Sequence, residues 1–252
     1  MKFAVITGVS RGLGEAVARL FIELGINVIG ISRSKNEQLA AYAKQQNVMF
    51  SHYTCDLADM EKIEETIDNI GNLIVANDPS TVYLVNNAAV VEPIDQSVNI
   101  QNSDLKYHIQ INTLAPMVIM NSFLKMANEQ GIHFVGATIT SGAAERPVYG
   151  WSAYCSTKAS INMYTQTVAL EQNELQTDSK VIAFSPGIMD TQMQEKIRLT
   201  SAENFAEVDK FNGYKRNNLL KDTEMVGGVL VDILTDEENI QSGNIYHVND
   251  YI

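Results

Sequence analysis

The sequence predicts an α/β fold in which a doubly wound sheet of about seven parallel strands carries helices on both faces. Three observations predict it. Apolar, β-branched runs of four to seven residues alternate with longer helical patterns from end to end. A glycine-rich turn lies between the first strand and the first helix. The 252 residues are 45% hydrophobic and 19% charged, enough apolar material for one α/β domain over 1–252.

The first strand reads Lys2–Thr7. After it, Leu13, Ala16, Val17, Leu20, Phe21 and Leu24 repeat at helical spacing until Gly25 stops the helix. Strands over Asn27–Ile31, Val48–Tyr53 and Thr81–Val85 follow, separated by helices near 35–46 and 59–76. In the second half come a long helix near 104–129, a strand at Phe134–Thr140, a helix from Ser152 to about Asn173 and a strand at Val181–Ser185. A helix near 222–234 and a strand near 244–248 end the pattern. Residues 191–221 break it, being polar, sprinkled with aromatics and weakly periodic. So long an excursion is expected to be functional, as a lid over a substrate site.

The turn Thr7-Gly8-Val9-Ser10-Arg11-Gly12-Leu13-Gly14 has TGxxxGxG spacing. Glycines there allow a tight turn and close approach of a pyrophosphate to a helix N-terminus, which makes the fold Rossmann-type. An acid closing the second strand would bind the ribose hydroxyls of NAD. Here the strand ends Ser32-Arg33-Ser34, so Arg33 is expected to hold a 2′-phosphate with help from Ser32, Ser34 and Arg11. NADP(H) is therefore the expected cofactor.

Tyr154 and Lys158 are four residues apart in a helical pattern and share a face. A neighbouring ammonium is expected to lower the tyrosine pKa toward the range where it works as an acid or base. Ser141 follows an apolar strand, at the carboxyl end where open sheets bind ligands, and could hold a carbonyl oxygen. Asn112 is a polar residue among apolar ones, close to Pro116, where it could also merely accompany a helix kink.

The net charge of −12, from 18 basic and 30 acidic residues, argues against nucleic acid or an anionic membrane as partner. Two cysteines without metal-ligand spacing suggest neither a disulfide framework nor a metal site. With no signal-peptide core and no membrane-length apolar stretch, a cytoplasmic location is expected.

Taken together these residues resemble the short-chain dehydrogenase/reductase family along the whole chain. The resemblance rests on Thr7-Gly8-x-x-x-Gly12-x-Gly14, Asp56, Asn86-Asn87-Ala88-Ala89, Asn112, Ser141, Tyr154-x-x-x-Lys158, and Pro186-Gly187 followed by Thr191. Ala89 stands where the family usually has glycine. The resemblance implies that Tyr154 protonates a carbonyl oxygen as hydride arrives. By the same resemblance Lys158 would bind the nicotinamide ribose and tune Tyr154, Ser141 would orient the substrate, and Asn112 would position a relay water. Asp56 and Leu57 would touch adenine, Asn87, Ala88 and Ala89 the adenosine ribose, and Pro186, Gly187, Ile188 and Thr191 the nicotinamide side. A homodimer or homotetramer packed through the helices near 104–129 and 152–173 is implied as well.

Finer likeness, in Gly150–Cys155, Ser185–Gln194 and Gln241-Ser242-Gly243, is to the sepiapterin reductase branch, whose bacterial relatives include benzil reductases. It implies an aromatic or α-diketone carbonyl substrate. That branch grips a pterin with an aspartate in a His-Val-Asp context, whereas this chain has His247-Val248-Asn249-Asp250, which leaves a pterin as the alternative. Tyr149, Trp151, Met189, Met193 and Asn249 are candidate pocket residues, although each aromatic could simply pack the lid onto the sheet. Two other readings compete: a non-catalytic NADP-binding sensor, and a serine hydrolase using Gly8-Val9-Ser10-Arg11-Gly12 as a nucleophile elbow.

Overall fold

The computed structural model describes every residue from Met1 to Ile252. Seven strands, β1 (Lys2–Thr7), β2 (Asn27–Ser32), β3 (Phe50–Thr54), β4 (Thr81–Asn86), β5 (His133–Ile139), β6 (Lys180–Ser185) and β7 (Ile245–His247), form one sheet. Its order is β3-β2-β1-β4-β5-β6-β7 and every neighbouring pair is parallel. The order reverses between β1 and β4, which opens a crevice at their carboxyl ends.

Strand periodicity decides which side chain faces which layer. Ala4, Ile6, Val28, Tyr83, Val85, Val135, Ala137, Ile182 and Phe184 join one core, shared with α1 (Gly12–Glu23), α2 (Glu37–Gln45) and α9 (Thr223–Thr235). Phe3, Val5, Ile29, Ile31, Val82, Leu84, Phe134 and Val181 join the other, against α3 (Met60–Val75), α5 (Ala115–Gln130) and α6 (Ser152–Glu174). No helix is long and apolar enough to cross a membrane.

Two regions depart from the sequence expectation. The long helix near 104–129 is three pieces: α4 (Asn102–Ile109), a π-helical turn over Gln110–Leu114, and α5. One residue too many in a helical turn leaves apolar periodicity nearly intact, so the pattern did not reveal it. Pro116 brings no N–H, so the Asn112 carbonyl has no amide four residues on to accept from.

The second is the excursion over 191–221, which folds into α7 (Gln192–Arg198) and α8 (Val208–Arg216). Its ends are clasped by a bridge between Met189 and Lys221, with Lys221 N–H donating to Ile188 and Asp190 N–H to Lys221. Ile197, Phe205, Val208 and Phe211 build a third small core with Val91, Ala143, Val148, Trp151 and Tyr154. Periodicity was weak because these apolar residues meet Trp151 and its neighbours rather than the sheet.

Candidate active site

The turn after β1 is shaped by its main chain. Gly8 adopts φ +77° and Gly12 φ +61°, the left-handed region that favours glycine. A Cβ on Gly14 would lie 2.3 Å from the Gly8 carbonyl oxygen and 2.5 Å from Asn87 Nδ2, so only glycine lets α1 approach the turn this closely. The N-terminus of α1 has no side-chain cap, as is also true of α4, α5, α6 and α8, whereas Asn36, Asp59, Thr191 and Asp222 cap α2, α3, α7 and α9. Its first amide N–H groups have no side-chain acceptor and are free to donate to an anion. Ser10 lies half-buried in the turn, Arg11 is exposed, and Leu13 buries its side chain in the core beneath.

Asn87 fixes the opposite wall of the crevice. Thr7 Oγ1 accepts from the amides of Asn87 at 2.9 Å and Ala88 at 3.0 Å, while Asn87 Nδ2 donates to the Thr7 carbonyl at 2.9 Å. The Asn87 side chain thus staples β4 to β1, and Ala88 and Ala89 follow it half-exposed. At the end of β2, Arg33 and Ser34 are exposed, and neither Arg33 nor Arg11 is paired with a carboxylate. Ser32 differs from expectation: its hydroxyl donates inward to the Ser34 carbonyl at 2.9 Å and lies 2.9 Å from His52 Nε2. Asp56 is exposed and accepts from the Ala58 amide at 3.0 Å, whereas the Leu57 side chain belongs to the core. These residues, with amides free to donate and two arginines without a carboxylate partner, fit an anionic dinucleotide.

Across the switch point, β5 and α6 bring Ser141, Tyr154 and Lys158 together. Lys158 is 3% exposed and donates from Nζ to the Ile139 carbonyl at 2.8 Å, at the carboxyl end of β5. Burial lowers its pKa to about 8. Tyr154 is 7% exposed, and burial pushes its pKa up to about 12, with the nearby Ser141 hydroxyl working the other way. This corrects the expectation that Lys158 depresses the tyrosine. The ammonium sits 5.7 Å from the centroid of the Tyr154 ring and is engaged with Ile139, so loss of water governs the phenol. Ser141 Oγ accepts from the Ala143 amide at 3.2 Å, which leaves its own proton to donate.

Asn112 also differs from expectation. Its Oδ1 accepts from the Val90 amide at 2.9 Å, and its Nδ2 donates to the Val90 carbonyl at 2.7 Å, with His108 Nε2 at 3.0 Å. Both amide atoms are occupied, so contact with a relay water would have to run through the main chain, where Pro116 supplies no N–H to the Asn112 carbonyl. His108, fully buried behind Asn112, is a residue the motifs did not bring forward. The signal was available, because positions four apart on a helix meet on one face.

Pro186, Gly187 and Ile188 leave β6 beside this cluster, Gly187 with φ +69°, and Thr191 caps α7. Trp151 is 5% exposed and stacks on Phe205 at 4.7 Å, with Tyr154 at 5.1 Å, so it supports the tyrosine instead of lining an open pocket. Met189 and Met193 pack partly buried against the cores, while Tyr149 and Asn249 are exposed. The excursion is held over this region by a bidentate Arg146–Glu207 pair at 2.6 and 2.9 Å and by Lys196–Glu92 at 2.5 Å. No cluster of histidine, cysteine or carboxylate side chains could hold a metal ion.

Comparison with known proteins agrees with this geometry. The short chain dehydrogenase family matches residues 2–202. A benzil reductase ((S)-benzoin forming) of Bacillus cereus is 37% identical over 238 residues, covering 94% of this chain and 96% of its own. That of Bacillus subtilis (strain 168) is 34% identical over 253 residues and covers 100% of both. Among solved structures, the KRED1-Pglu enzyme superimposes with a TM-score of 0.83 at 26% identity, covering 97% of this chain and 100% of that one. YIR035C from Saccharomyces cerevisiae gives 0.83 at 25% identity, covering 99% and 97%. The chain belongs to the short-chain dehydrogenase/reductase family, the NAD(P)-using oxidoreductases of CH–OH and C=O groups.

Proposed function

We propose that the chain is an NADPH-dependent carbonyl reductase of aromatic or α-diketone substrates, working through Tyr154, Ser141 and Lys158. The observation that carries this reading is the meeting of those three side chains where the carboxyl end of β5 faces the first turns of α6, on the side of the sheet that also carries the N-terminus of α1. Likeness over the full chain to two benzil reductases supports the substrate class. Bound NADPH would supply the hydride.

The chain's own groups supply the proton and the alignment. Burial keeps Tyr154 protonated at neutral pH, the form a reduction needs from its acid. Ser141, its oxygen already accepting from Ala143, donates toward the phenol and the substrate oxygen. Lys158 spends one N–H on Ile139 and has two left for the cofactor ribose and a proton path. Arg33, with Arg11 and Ser34, would hold the 2′-phosphate; Asp56, Leu57 and Asn87 to Ala89 would form the adenosine side, and Pro186 to Ile188 with Thr191 the nicotinamide side. Residues 191–221 would act as the substrate lid of the single domain. Exposed Leu114, Met163 and Leu170 on the α5 and α6 side would be covered by a second copy of the chain.

A pterin is the weaker candidate, because Asn249 stands in the turn after β7 where that branch has an aspartate, and only the neighbouring Asp250 could supply the carboxylate in its place. The hydrolase reading loses its support: His133 pairs with Asp178 at the opposite end of the sheet and His247 with Glu145, and neither hydrogen-bonds Ser10. The test is cofactor consumption with benzil, 1-phenyl-1,2-propanedione and sepiapterin, using NADPH and NADH. Turnover of the diketones with NADPH is expected. Binding without turnover of any carbonyl, or ester hydrolysis without cofactor, contradicts the proposal. Arg33→Asp should shift the NADPH/NADH ratio of kcat/KM toward NADH by roughly ten- to a hundredfold, and an unchanged ratio would show that Arg33 does not read the cofactor.

A further inference from the structure

Behind the proposed site, His108 joins three elements in one hydrogen-bonded cluster. It sits on α4, 0% exposed. Its Nδ1 lies 2.7 Å from the Glu92 carbonyl oxygen in the segment leaving β4. Its Nε2 lies 3.0 Å from Asn112 Nδ2 in the π-helical turn and 3.1 Å from Thr157 Oγ1 on α6. Thr157 in turn lies 3.0 Å from the Tyr154 carbonyl, and the imidazole meets the Tyr154 ring edge-on at 6.2 Å.

The partners fix the tautomer. A carbonyl oxygen only accepts, so Nδ1 carries the proton and Nε2 is left as an acceptor. Asn112 Oδ1 is taken by the Val90 N–H, so the group facing Nε2 is the amide N–H₂, a donor. Neutral imidazole satisfies both ends, whereas a second proton on Nε2 would turn a donor toward the Asn112 N–H₂ and leave only the Thr157 oxygen to accept it.

We propose that His108, as the neutral Nδ1–H tautomer, is a positioning residue for the reduction: it holds the Asn112 amide on Val90 and braces α6 beneath Tyr154. The proposal rests on the assignment of Tyr154, Ser141 and Lys158 as the working groups. Charged and titratable groups face His108 from every element around it: Glu92, whose carboxylate pairs with Lys196 of α7, and Lys158 and Tyr154 on α6. Burial holds the imidazole below its ordinary range, the bond to the Glu92 carbonyl opposes this, and the Lys158 charge adds to it. Acid should therefore disable the site at a pH below that range.

The test compares His108→Phe, His108→Gln and Tyr154→Phe in the full-length chain with NADPH and the best diketone of the panel. His108→Phe strands the Glu92 carbonyl and the Asn112 donor, and kcat should fall about tenfold or more, because small misplacements of working groups are costly, while NADPH affinity changes by less than about twofold. His108→Gln can offer Asn112 an acceptor without titrating. It should recover most of kcat and lose the acid limb of the wild-type kcat–pH profile. A wild-type kcat in His108→Phe, or the same acid limb in His108→Gln, overturns the proposal. If the phenylalanine variant does not fold, the pH profile of the glutamine variant and the imidazole nitrogen resonances of the wild type decide. An Nε2–H tautomer overturns it too. An inactive Tyr154→Phe beside normal His108 variants removes this inference alone, whereas an active Tyr154→Phe removes the reading of the site as well.

Discussion

The turn after β1 and the cluster around Tyr154 sit at the same carboxyl end of one sheet but are built from different material. In the turn the main chain does the recognising: positive φ angles at Gly8 and Gly12, a helix end without a cap, and a backbone so close at Gly14 that a Cβ has no room. Around Tyr154 the side chains would do it, with Lys158, Ser141 and Asn112 each held by a main-chain hydrogen bond and the Tyr154 ring packed on Trp151. Water reaches the first region and is excluded from the second. A site for a large polyanionic ligand can stay open and rely on dipoles, whereas a site that must hold one proton has to control its dielectric surroundings.

Breaking the proton site should have the largest effect. Tyr154→Phe keeps the ring packing on Trp151 and removes the acid, so turnover should fall roughly a thousandfold while NADPH binding by fluorescence titration is unchanged. Breaking the turn should be smaller and of another kind. Gly14→Ala forces the Gly8 carbonyl and α1 apart, destabilising the fold by about 1–3 kcal/mol and weakening NADPH binding roughly tenfold. Thermal unfolding and titration would measure both, and wild-type behaviour in either region would erase the contrast.

A third change measures what exclusion of water costs. Burial brings the Lys158 pKa down to about 8 from its ordinary 10.5, so between those values the unfolded chain binds the lysine proton more tightly than the folded one. Stability rises with pH wherever the unfolded state holds more protons. The wild type therefore carries a penalty of about 3 kcal/mol below pH ~8, shed as pH rises toward ~10.5. Lys158→Met has no such group. Denaturant unfolding of both proteins should show the wild type gaining about 3 kcal/mol on the variant across that window. A constant difference would mean that Lys158 is solvated.

Much of this was legible in the residues, unevenly. The main-chain site announced itself, because a backbone conformation that needs glycine leaves glycines at fixed spacing. The strands were legible for a similar reason: β1 and β4 alternate their side chains between two apolar layers, and burial on both faces makes the run continuous. The side-chain site was legible only as residue types. Tyr154, Lys158, Ser141 and Asn112 could be named, but not that water exclusion, rather than the ammonium, governs Tyr154. Nor could spacing show that Asn112 spends its amide on Val90. The helices of the excursion were missed because Phe205 and Phe211 pack on Trp151, a partner that only the tertiary fold supplies.

The most direct test of the central claim follows the hydride itself. Wild-type protein is given benzil and NADPH deuterated at both C4 positions, and the product is examined by mass spectrometry and NMR. The account predicts benzoin with one deuterium at the carbinol carbon, formed one for one with cofactor oxidised. Unlabelled benzoin, or cofactor consumption without it, would contradict the account.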